Sequence, residues 1–268
     1  MPSLSPEVLA LREEMIALRR DLHAQPELAF RETRTAARVV SYLEGCGLGL
    51  RTGVGRTGVV ATAGDGSGRT VLLRVDLDGL PIQEQNDVSY ASRTPGVMHA
   101  CGHDGHVAMG AAAARVLARR KLAGTVRVLF QPAEEGEGGA EAVIADGVLE
   151  GVDVTIGIHL WNEQPVGTIG VRAGPLMAAV DRLRIVVRGR GGHGAMPDRA
   201  ADPVVAAAHV VTGLQTLVSR EVPPLEPAVV TIGAIHGGAA FNVIPDEVSL
   251  LGLPGRGRGG ARPPGSGE

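Results

Sequence analysis

Helical and strand-like hydrophobic patterns alternate through the first part of the chain. Apolar residues recur at helical spacing over Glu7–His23 and Thr33–Gly47, and the alanine-rich segment His106–Arg120 predicts a further helix. Short, almost continuous apolar runs between these helices predict strands that are covered on both faces. The predicted strands are Gly58–Ala63, Arg69–Val75, Thr125–Phe130 and Val152–Ile158, with a short helix at Ala140–Leu149. This alternation favours an α/β fold with a mostly parallel sheet.

The pattern changes after Arg172. Asp181–Gly189 alternates apolar and polar residues, which is typical of a strand with one face in water. A helix over Asp202–Ser219 and two strands, Pro227–Ile235 and Asn242–Leu251, complete a β-α-β-β order. We therefore expect a larger domain over residues 1–175 and a smaller α+β domain over residues 176–252.

The last segment, Leu253–Glu268, is rich in glycine, proline and arginine and has no apolar pattern. It is expected to be disordered because it has nothing to bury. The change falls abruptly within a strand pattern, so our hypothesis is a frameshift or truncation near Gly252, with an out-of-frame tail. Translation of the coding DNA in the other frames tests this hypothesis.

Composition limits the classes of partner. The chain has 268 residues, a formal net charge of −3 and 44% hydrophobic residues, which fits one large or two medium globular domains. No basic face is evident, so nucleic acid and anionic membranes are not expected as main partners. Neither a signal peptide nor an apolar run of about 18 residues is visible. Cys101 lies among metal-type ligands, which favours a free thiolate over a disulfide with Cys46 and hence a cytoplasmic location.

Candidate ligands follow the ends of the predicted strands. Met98–His106 holds three histidines, a cysteine and an aspartate, a density that suits a first-row divalent metal. The acidic pairs and the histidine that follow the strands are Asp76/Asp78, Glu134/Glu135 and His159. Alone, each also reads as a turn, a solvated acidic loop or a structural histidine. Ligands bind beyond the carboxyl ends of parallel strands, so their common position predicts a metal centre at one sheet edge.

Several long motifs then occur in the order of one known family. They are His23-x-x-Pro-Glu27, Arg74-Val-Asp-Leu-Asp-Gly-Leu-Pro-Ile, Met98-His-Ala-Cys-Gly-His-Asp-Gly-His, Gln131-Pro-Ala-Glu-Glu-Gly, Gly157-Ile-His-Leu-Trp, Gly192-His-Gly-Ala-Met-Pro and Phe241-Asn-Val-Ile-Pro. From about Arg19 to Gly252 the chain resembles the dinuclear-metal amidohydrolases of the aminoacylase/carboxypeptidase clan. Within that clan it looks most like hippurate hydrolases, N-acyl-amino-acid amidohydrolases and auxin-conjugate hydrolases.

The resemblance implies a role for each matching residue. Cys101 resembles the bridging metal ligand. The further ligands would be His103, Glu135 and His159, and the general base would be Glu134. Asp78 resembles an acid that orients the site, and His193 and Asn242 resemble groups that reach the substrate. The implied cofactor is a pair of divalent ions, Zn, Mn, Co or Ni, since a thiolate ligand disfavours Mg and Ca.

The same resemblance implies the architecture and the substrate. The smaller domain would be an inserted, ferredoxin-like lid and dimerisation domain, and a homodimer is expected for a full-length family member. The implied reaction is hydrolysis of the amide bond of a small N-acyl amino acid by a metal-activated water.

Two departures from the family pattern leave an alternative open. Asp198 stands where relatives usually have histidine, and relatives continue beyond Gly252 to supply a last metal-binding histidine. The alternative is therefore a catalytically inactive metal-binding or interaction fragment, which metal stoichiometry would distinguish. A zinc nucleoside deaminase is disfavoured because its Pro-Cys-x-x-Cys motif is missing from the sequence.

Overall fold

A computed structural model describes residues 4–136, 138–174 and 176–256 of the chain. Two compact units make up the chain, Met1–Thr168 and Ile169–Glu268. The boundary that the sequence predicts between residues 175 and 176 therefore falls inside the second unit.

The first unit is a mixed α/β structure. Its helices are α1 (Pro6–Ala10), α2 (Arg12–His23), α3 (Thr33–Leu43), α4 (His103–Ala118) and α5 (Gly139–Ala145). Its strands are β1 (Gly49–Val54), β2 (Gly58–Ala63), β3 (Thr70–Asp76), β4 (Thr125–Gln131) and β5 (Val154–Gly157). The α/β class predicted from the alternating pattern is confirmed.

The five strands form one mixed sheet in the order β1-β2-β4-β3-β5. β3 pairs in parallel with both β4 and β5, whereas β1–β2 and β2–β4 are antiparallel. The antiparallel part arises because β1 and β2 are joined by a tight hairpin, in which Gly53 and Gly55 adopt positive φ angles of 71° and 55°. The parallel arrangement thus holds for the three strands whose ends carry the candidate ligands.

Helices α2, α3 and α4 cover one face of this sheet and form the main core. Leu22, Val39 and Phe130 are all 0% exposed there. A Cβ atom at Gly110 would lie 3.0 Å from both γ-carbons of Val75, so glycine allows α4 to pack closely on β3. A smaller core cluster lies around Leu72 and Val143. Close packing of α4 on β3 brings the start of the helix to the carboxyl end of that strand.

Two sequence predictions about this unit are wrong in detail. Helix α4 begins at His103 and not at His106, because Gly102 takes a left-handed conformation (φ 85°) that allows the helix to start earlier. Strand β5, predicted to be buried on both faces, is exposed throughout. Its pattern is misleading because, among the described residues, β5 pairs with β3 alone and forms the sheet edge.

In its described residues, the second unit contains an α-helix and a set of antiparallel strands. Its elements are β6 (Ala179–Val180), β7 (Leu183–Arg188), β8 (Gly192–His193), α6 (Pro203–Thr216), β9 (Ala228–Gly237), β10 (Val243–Ile244) and β11 (Glu247–Arg256). A 3-10 turn spans Pro197–Arg199 and a π-helical turn spans Leu217–Glu221. β11 pairs antiparallel with β6, β7 and β9, and Ala207 of α6 packs on Val248 and Leu250. The β-α-β-β order matches the sequence pattern, except that Asn242–Leu251 divides into β10 and β11.

The predicted start of a disordered tail at Leu253 is wrong. Leu253–Arg256 belong to β11, where Leu253 pairs with Thr231 and Gly255 pairs with both Val229 and Val180. Pairing with distant strands outweighs the local proline and glycine composition. Residues 257–268 of the predicted tail lie outside the described residues. Within the described ranges, no helix is long and apolar enough to cross a membrane.

Candidate metal centre

The carboxyl ends of the three parallel strands bring the candidate ligands of the first unit together. β3 ends in Asp76 and is followed by Asp78, β4 is followed by Glu134 and Glu135, and β5 is followed by His159. Parallel strands end at the same edge of a sheet, and ligand sites form there. His103, at the first position of α4, lies among these side chains.

His103 is oriented as a metal ligand would be. Its Nδ1–H donates to the backbone carbonyl oxygen of Asp78 at 2.9 Å, which leaves the lone pair on Nε2. Nε2 is buried and has no hydrogen-bond partner among the described residues. Such a bond from the far ring nitrogen is the usual way in which proteins fix the tautomer and the ring of a ligating histidine.

Carboxylates surround the unpartnered nitrogen of His103. Oε2 of Glu134, Oε1 of Glu135 and Oδ1 of Asp76 each lie 3.8 Å from His103 Nε2. Glu135 Oε1 is itself buried without a hydrogen-bond partner in the described part of the chain. Burial and the adjacent charge of Glu134 raise the pKa of Glu135. Two neighbouring acids facing a buried nitrogen are costly unless a cation or a proton lies between them.

Cys101 and His159 complete the cluster on another side. Cys101 Sγ lies 3.3 Å from His159 Nε2, while His159 Nδ1 donates to the carbonyl oxygen of Leu160. Around a tetrahedral zinc ion, with Zn–S near 2.3 Å and Zn–N near 2.1 Å, a sulfur and a nitrogen stand about 3.5 Å apart. Cys101 is a free cysteine, as the sequence predicts. Its sulfur and the His159 nitrogen are therefore spaced as two ligands of one ion.

The electrostatics of the cluster also favour a cation. Burial lowers the pKa of His103, but the acidic groups of Asp78, Cys101 and Asp76 outweigh burial and raise that pKa to about 11. The same acidic groups that favour positive charge on His103 would also stabilise the charge of a metal ion at Nε2. Donor atoms of two overlapping sets, Cys101/His103/His159 and His103/Glu134/Glu135, each lie within 4.8 Å of one another. Thiolate, imidazole and carboxylate donors in this arrangement fit one or two borderline divalent ions.

Asp78 lies beside two of the candidate ligand residues, His103 and Glu135, and holds both of them. Its Oδ2 accepts the backbone N–H of Glu135 at 3.0 Å, and its Oδ1 lies 3.4 Å from His103 Nδ1. Burial opposes ionisation of Asp78, yet the hydrogen bond with His103 and those with Glu134 and Glu135 lower its pKa. The carboxylate therefore stays charged and holds the Glu135 backbone, while the Asp78 carbonyl oxygen fixes the His103 ring.

Asp76 and His106, both buried, are candidates by their position in the sequence to which the family resemblance gives no role. His106 Nδ1–H donates to Asp76 Oδ1 at 2.6 Å, and His106 Nε2 accepts the backbone N–H of Leu160 at 2.9 Å. Both nitrogens of His106 are occupied, so it anchors the segment that carries His159. Asp76 can be recognised in the sequence because it precedes Asp78 by two residues at the same strand end. The hydrogen bond from the Leu160 N–H to His106 leaves no pattern in the sequence.

The two candidate residues of the second unit lie close to each other. His193 in β8 pairs with Val243 in β10, and the N–H of Gly194 donates to the carbonyl oxygen of Asn242 at 2.8 Å. His193 Nδ1 accepts the N–H of Ala195 at 3.0 Å. The neutral ring therefore carries its proton on Nε2, which makes that nitrogen a hydrogen-bond donor. Both side chains are exposed.

Comparisons with known proteins agree with this geometry. The profile of peptidase family M20/M25/M40 matches residues 72–265. An N-acyl-L-amino acid amidohydrolase of Geobacillus stearothermophilus is 48% identical over 246 residues, covering 90% of this chain and 66% of the relative. An N-acetyl-L-cysteine deacetylase of Bacillus subtilis is 45% identical over 245 residues, covering 90% of this chain and 59% of the relative.

A solved structure is similar over almost the whole chain. The Bacillus subtilis YXEP protein, described as a dinuclear metal binding peptidase of the M20 family, has a TM-score of 0.72 and 40% sequence identity. The match covers 94% of this chain and 66% of that structure. The chain spans 59% to 66% of the length of the two curated relatives named above.

Proposed function

The chain belongs to peptidase family M20/M25/M40, and we propose that it acts as a metal-dependent amidohydrolase that cleaves the amide bond of N-acyl amino acids. The family resemblance read from the motifs is confirmed. The substrate class is supported by the names of the relatives, which describe N-acyl amino acid amidohydrolase and N-acetylcysteine deacetylase activities.

One observation carries this proposal. His103 Nε2 is buried and unpartnered within the described residues, and it faces Glu134 and Glu135 at 3.8 Å. Of the two acids, Glu134 is the more exposed, with a side chain 37% accessible against 24% for Glu135. We therefore assign Glu135 to the metal and Glu134 to the substrate side of the centre.

Cys101, His103, Glu135 and His159 would hold the ions, and Cys101 is the residue that resembles the family's bridging ligand. When bound, the ions supply Lewis-acid polarisation of the amide carbonyl and acidify a water molecule. Glu134 takes a proton from that water as it attacks the carbonyl carbon, and then gives the proton to the leaving amine nitrogen. Asp78 holds His103 and the Glu135 backbone in place during both transfers.

Roles for the residues of the second unit rest on the family resemblance. We propose that His193 donates from Nε2 to the oxyanion of the tetrahedral intermediate, which fits the tautomer set by the Ala195 N–H. Asn242 is proposed to contact the substrate. The choice among Zn, Mn, Co and Ni, a homodimer formed through residues 176–252 and a cytoplasmic location remain predictions.

Metal analysis coupled to an activity assay tests this function. The metal-free 268-residue chain is titrated with Zn²⁺, Mn²⁺, Co²⁺ or Ni²⁺, bound ions are counted by mass spectrometry, and amine release is followed with N-acetyl and N-benzoyl amino acids. We expect two ions per chain and hydrolysis with at least one ion. Ions without hydrolysis would favour the alternative of a metal-binding fragment, and no bound ion would refute the centre.

The two cysteines offer a matched control. Cys101→Ser should lower the number of bound ions and abolish hydrolysis, because serine replaces the thiolate by a poor ligand. Cys46→Ser should leave both unchanged, since Cys46 belongs to neither ligand set and its Sγ bonds the backbone oxygen of Glu44. Equal effects of the two substitutions would contradict the proposed centre.

A further inference from the structure

Glu32 is a completely buried carboxylate that the proposed chemistry does not use. It is 0% exposed, and each of its oxygens accepts one hydrogen bond. Oε1 accepts the backbone N–H of Ala133 at 2.8 Å, and Oε2 accepts the hydroxyl of Thr57 at 2.6 Å. Burying a carboxylate costs free energy, so the hydrogen bonds that Glu32 makes indicate its role in the structure.

The carboxylate of Glu32 does not stabilise its own helix. Glu32 occupies the N-cap position of α3, where a side chain ordinarily accepts an N–H of the first turn, yet it makes no such bond. Glu27 fills that role instead, since its Oε2 accepts the N–H of Thr35 at 2.7 Å. Glu32 instead reaches across to the segment that follows β4, more than a hundred residues later in the chain.

Ala133 is the backbone position that Glu32 holds. Its φ angle is 51°, in the left-handed region that side chains other than glycine rarely adopt. It is 1% exposed, and its carbonyl oxygen accepts the N–H of Gly139 at 3.1 Å. A strained conformation of this kind persists only where the surroundings enforce it. Here the enforcing group on the N–H side is the Glu32 carboxylate.

The turn at Ala133 directs the two functional glutamates. Glu134 and Glu135 follow it immediately, and both face His103 Nε2. A second carboxylate, Asp78, holds the N–H of Glu135 at 3.0 Å. The segment is thus held at two N–H groups two residues apart, by Glu32 before the glutamates and by Asp78 at the second of them.

We infer that Glu32 is a positioning residue of the metal centre: through Ala133 it sets the left-handed turn that aims Glu135 at the ion and Glu134 at the substrate. This inference rests on the proposed function for the role of Glu134. Its consequence for metal binding does not depend on that function, because it acts through the proposed ligand Glu135. Residues that orient a metal ligand commonly change metal affinity by about 10–100-fold.

Three variants of the 268-residue chain test the inference. Glu32→Ala removes both bonds. Glu32→Gln keeps them, because its amide oxygen accepts from Ala133 and its NH₂ group donates to the Thr57 hydroxyl, which also accepts. Asp153→Ala is the control: it removes a similar carboxylate bond, to the Thr70 N–H at 2.8 Å, at the opposite end of β3.

Co²⁺ titration provides a readout that does not require turnover. The thiolate charge-transfer band reports Cys101, and the visible bands report the ligand geometry that includes Glu135. We expect Glu32→Ala to weaken Co²⁺ binding about 10–100-fold and to change the visible bands. Glu32→Gln should restore both to the wild-type values, and Asp153→Ala should leave both unchanged at temperatures where all chains are folded.

Kinetics add a second readout in any preparation that hydrolyses an N-acyl amino acid. Glu32→Ala should lower kcat while KM stays close to the wild-type value, because Glu134 is misdirected but substrate contacts remain. Rescue by Glu32→Gln supports positioning. Equal losses in Glu32→Ala and Glu32→Gln would overturn the inference, because they would show that the charge matters and not the two bonds.

The outcomes separate the two proposals. A wild-type chain that binds Co²⁺ without hydrolysis contradicts the proposed function, while the Co²⁺ comparison still decides the role of Glu32. Co²⁺ affinities and spectra that are the same in Glu32→Ala and Asp153→Ala overturn the inference. If Glu32→Ala does not fold, Glu32→Asp takes its place, because its shorter side chain withdraws the carboxylate from the Ala133 N–H. Co²⁺ affinity equal to that of Asp153→Ala would overturn the inference there too.

Discussion

Two buried histidine–carboxylate clusters adjoin each other at the start of α4, and they differ in one respect. His103 and Asp104 are consecutive, but helical geometry turns successive side chains by about 100°. His103 joins the strand-end acids, whereas Asp104 accepts from His23 Nδ1 at 2.9 Å, and His23 Nε2 contacts Glu84 at 3.1 Å. Arg19 adds an ion pair to Asp104 at 2.7 Å.

The difference lies in hydrogen bonds and not in composition. Both nitrogens of His23 have partners, so the ring of this cluster, the closed cluster, has no nitrogen left for a cation, although Asp104 Oδ1 lacks a hydrogen-bond partner among the described residues. In the His103 cluster, Nε2 and Glu135 Oε1 have no partner among the described residues, so that cluster is open to a cation. Burial and residue type alone would not separate them. An unpartnered histidine nitrogen that faces an unpartnered carboxylate oxygen, His103 Nε2 and Glu135 Oε1 at 3.8 Å, distinguishes the candidate ligand set from the structural network.

The largest expected effect comes from the open cluster. Glu134→Ala should retain the bound ions but lower kcat by about 10²–10⁴-fold, the usual contribution of a positioned general base. Metal content by mass spectrometry and amine release by a colorimetric assay measure the two quantities. Glu163→Gln, at an exposed acid of the same unit, serves as the control. Turnover retained in Glu134→Ala would remove Glu134 from the base role.

A second comparison, between His103 and His106, can be made within helix α4. His103→Ala removes a proposed ligand and should abolish binding of at least one ion, whereas His106→Gln disturbs only the anchor to Asp76 and Leu160. The latter should weaken binding by about 10–100-fold. Competition with a calibrated chelator measures both affinities. If His106→Gln weakened binding more than His103→Ala, the assignment of the open nitrogen to His103 would be wrong.

The closed cluster should respond in stability and not in metal content. His23→Ala leaves two buried carboxylates, Asp104 and Glu84, without their shared partner, and breaking a buried pair in this way costs about 3–5 kcal/mol. Urea unfolding of the metal-free chain measures this loss. The number of ions bound by the folded variant should equal that of the wild type, and a missing ion would show that the two clusters are not separate.

The smallest effect is a pH dependence of the closed cluster. The hydrogen bond to Asp104, helped by Glu84 and opposed by burial, raises the pKa of His23 above 6.5. His99, nearby, stays neutral because burial lowers its pKa to about 4. A raised folded pKa gives stability that is complete below pH 6.5 and is lost as pH rises through the folded value.

Urea unfolding of the metal-free chain at a series of pH values measures this dependence. The difference in unfolding free energy between wild type and His23→Gln should therefore be largest near pH 6 and should shrink towards pH 9. A difference that grows with pH would show that His23 is held neutral and that the closed cluster lacks the charge assigned to it.

Much of the fold was accessible from local pattern. The apolar run Gly58–Ala63 coincides with β2, and the β3 and β4 boundaries differ from the predictions by one residue. The sequence predictions failed where pairing with residues far apart in the chain decides the local structure. Leu253–Arg256 is a strand because β9 and β6 pair with it, and β5 is exposed because it lies at the sheet edge.

The sequence by itself determined the donor types and the place of most of them, because acids and a histidine at the ends of parallel apolar strands must gather at one edge of the sheet. Only the tertiary structure decided which of them are free to bind. The Asp78 carbonyl fixes the His103 tautomer, Leu160 occupies His106, and Glu32 holds Ala133. These bonds join residues far apart in the chain, so their geometry is set by packing and leaves no periodic signal in the sequence.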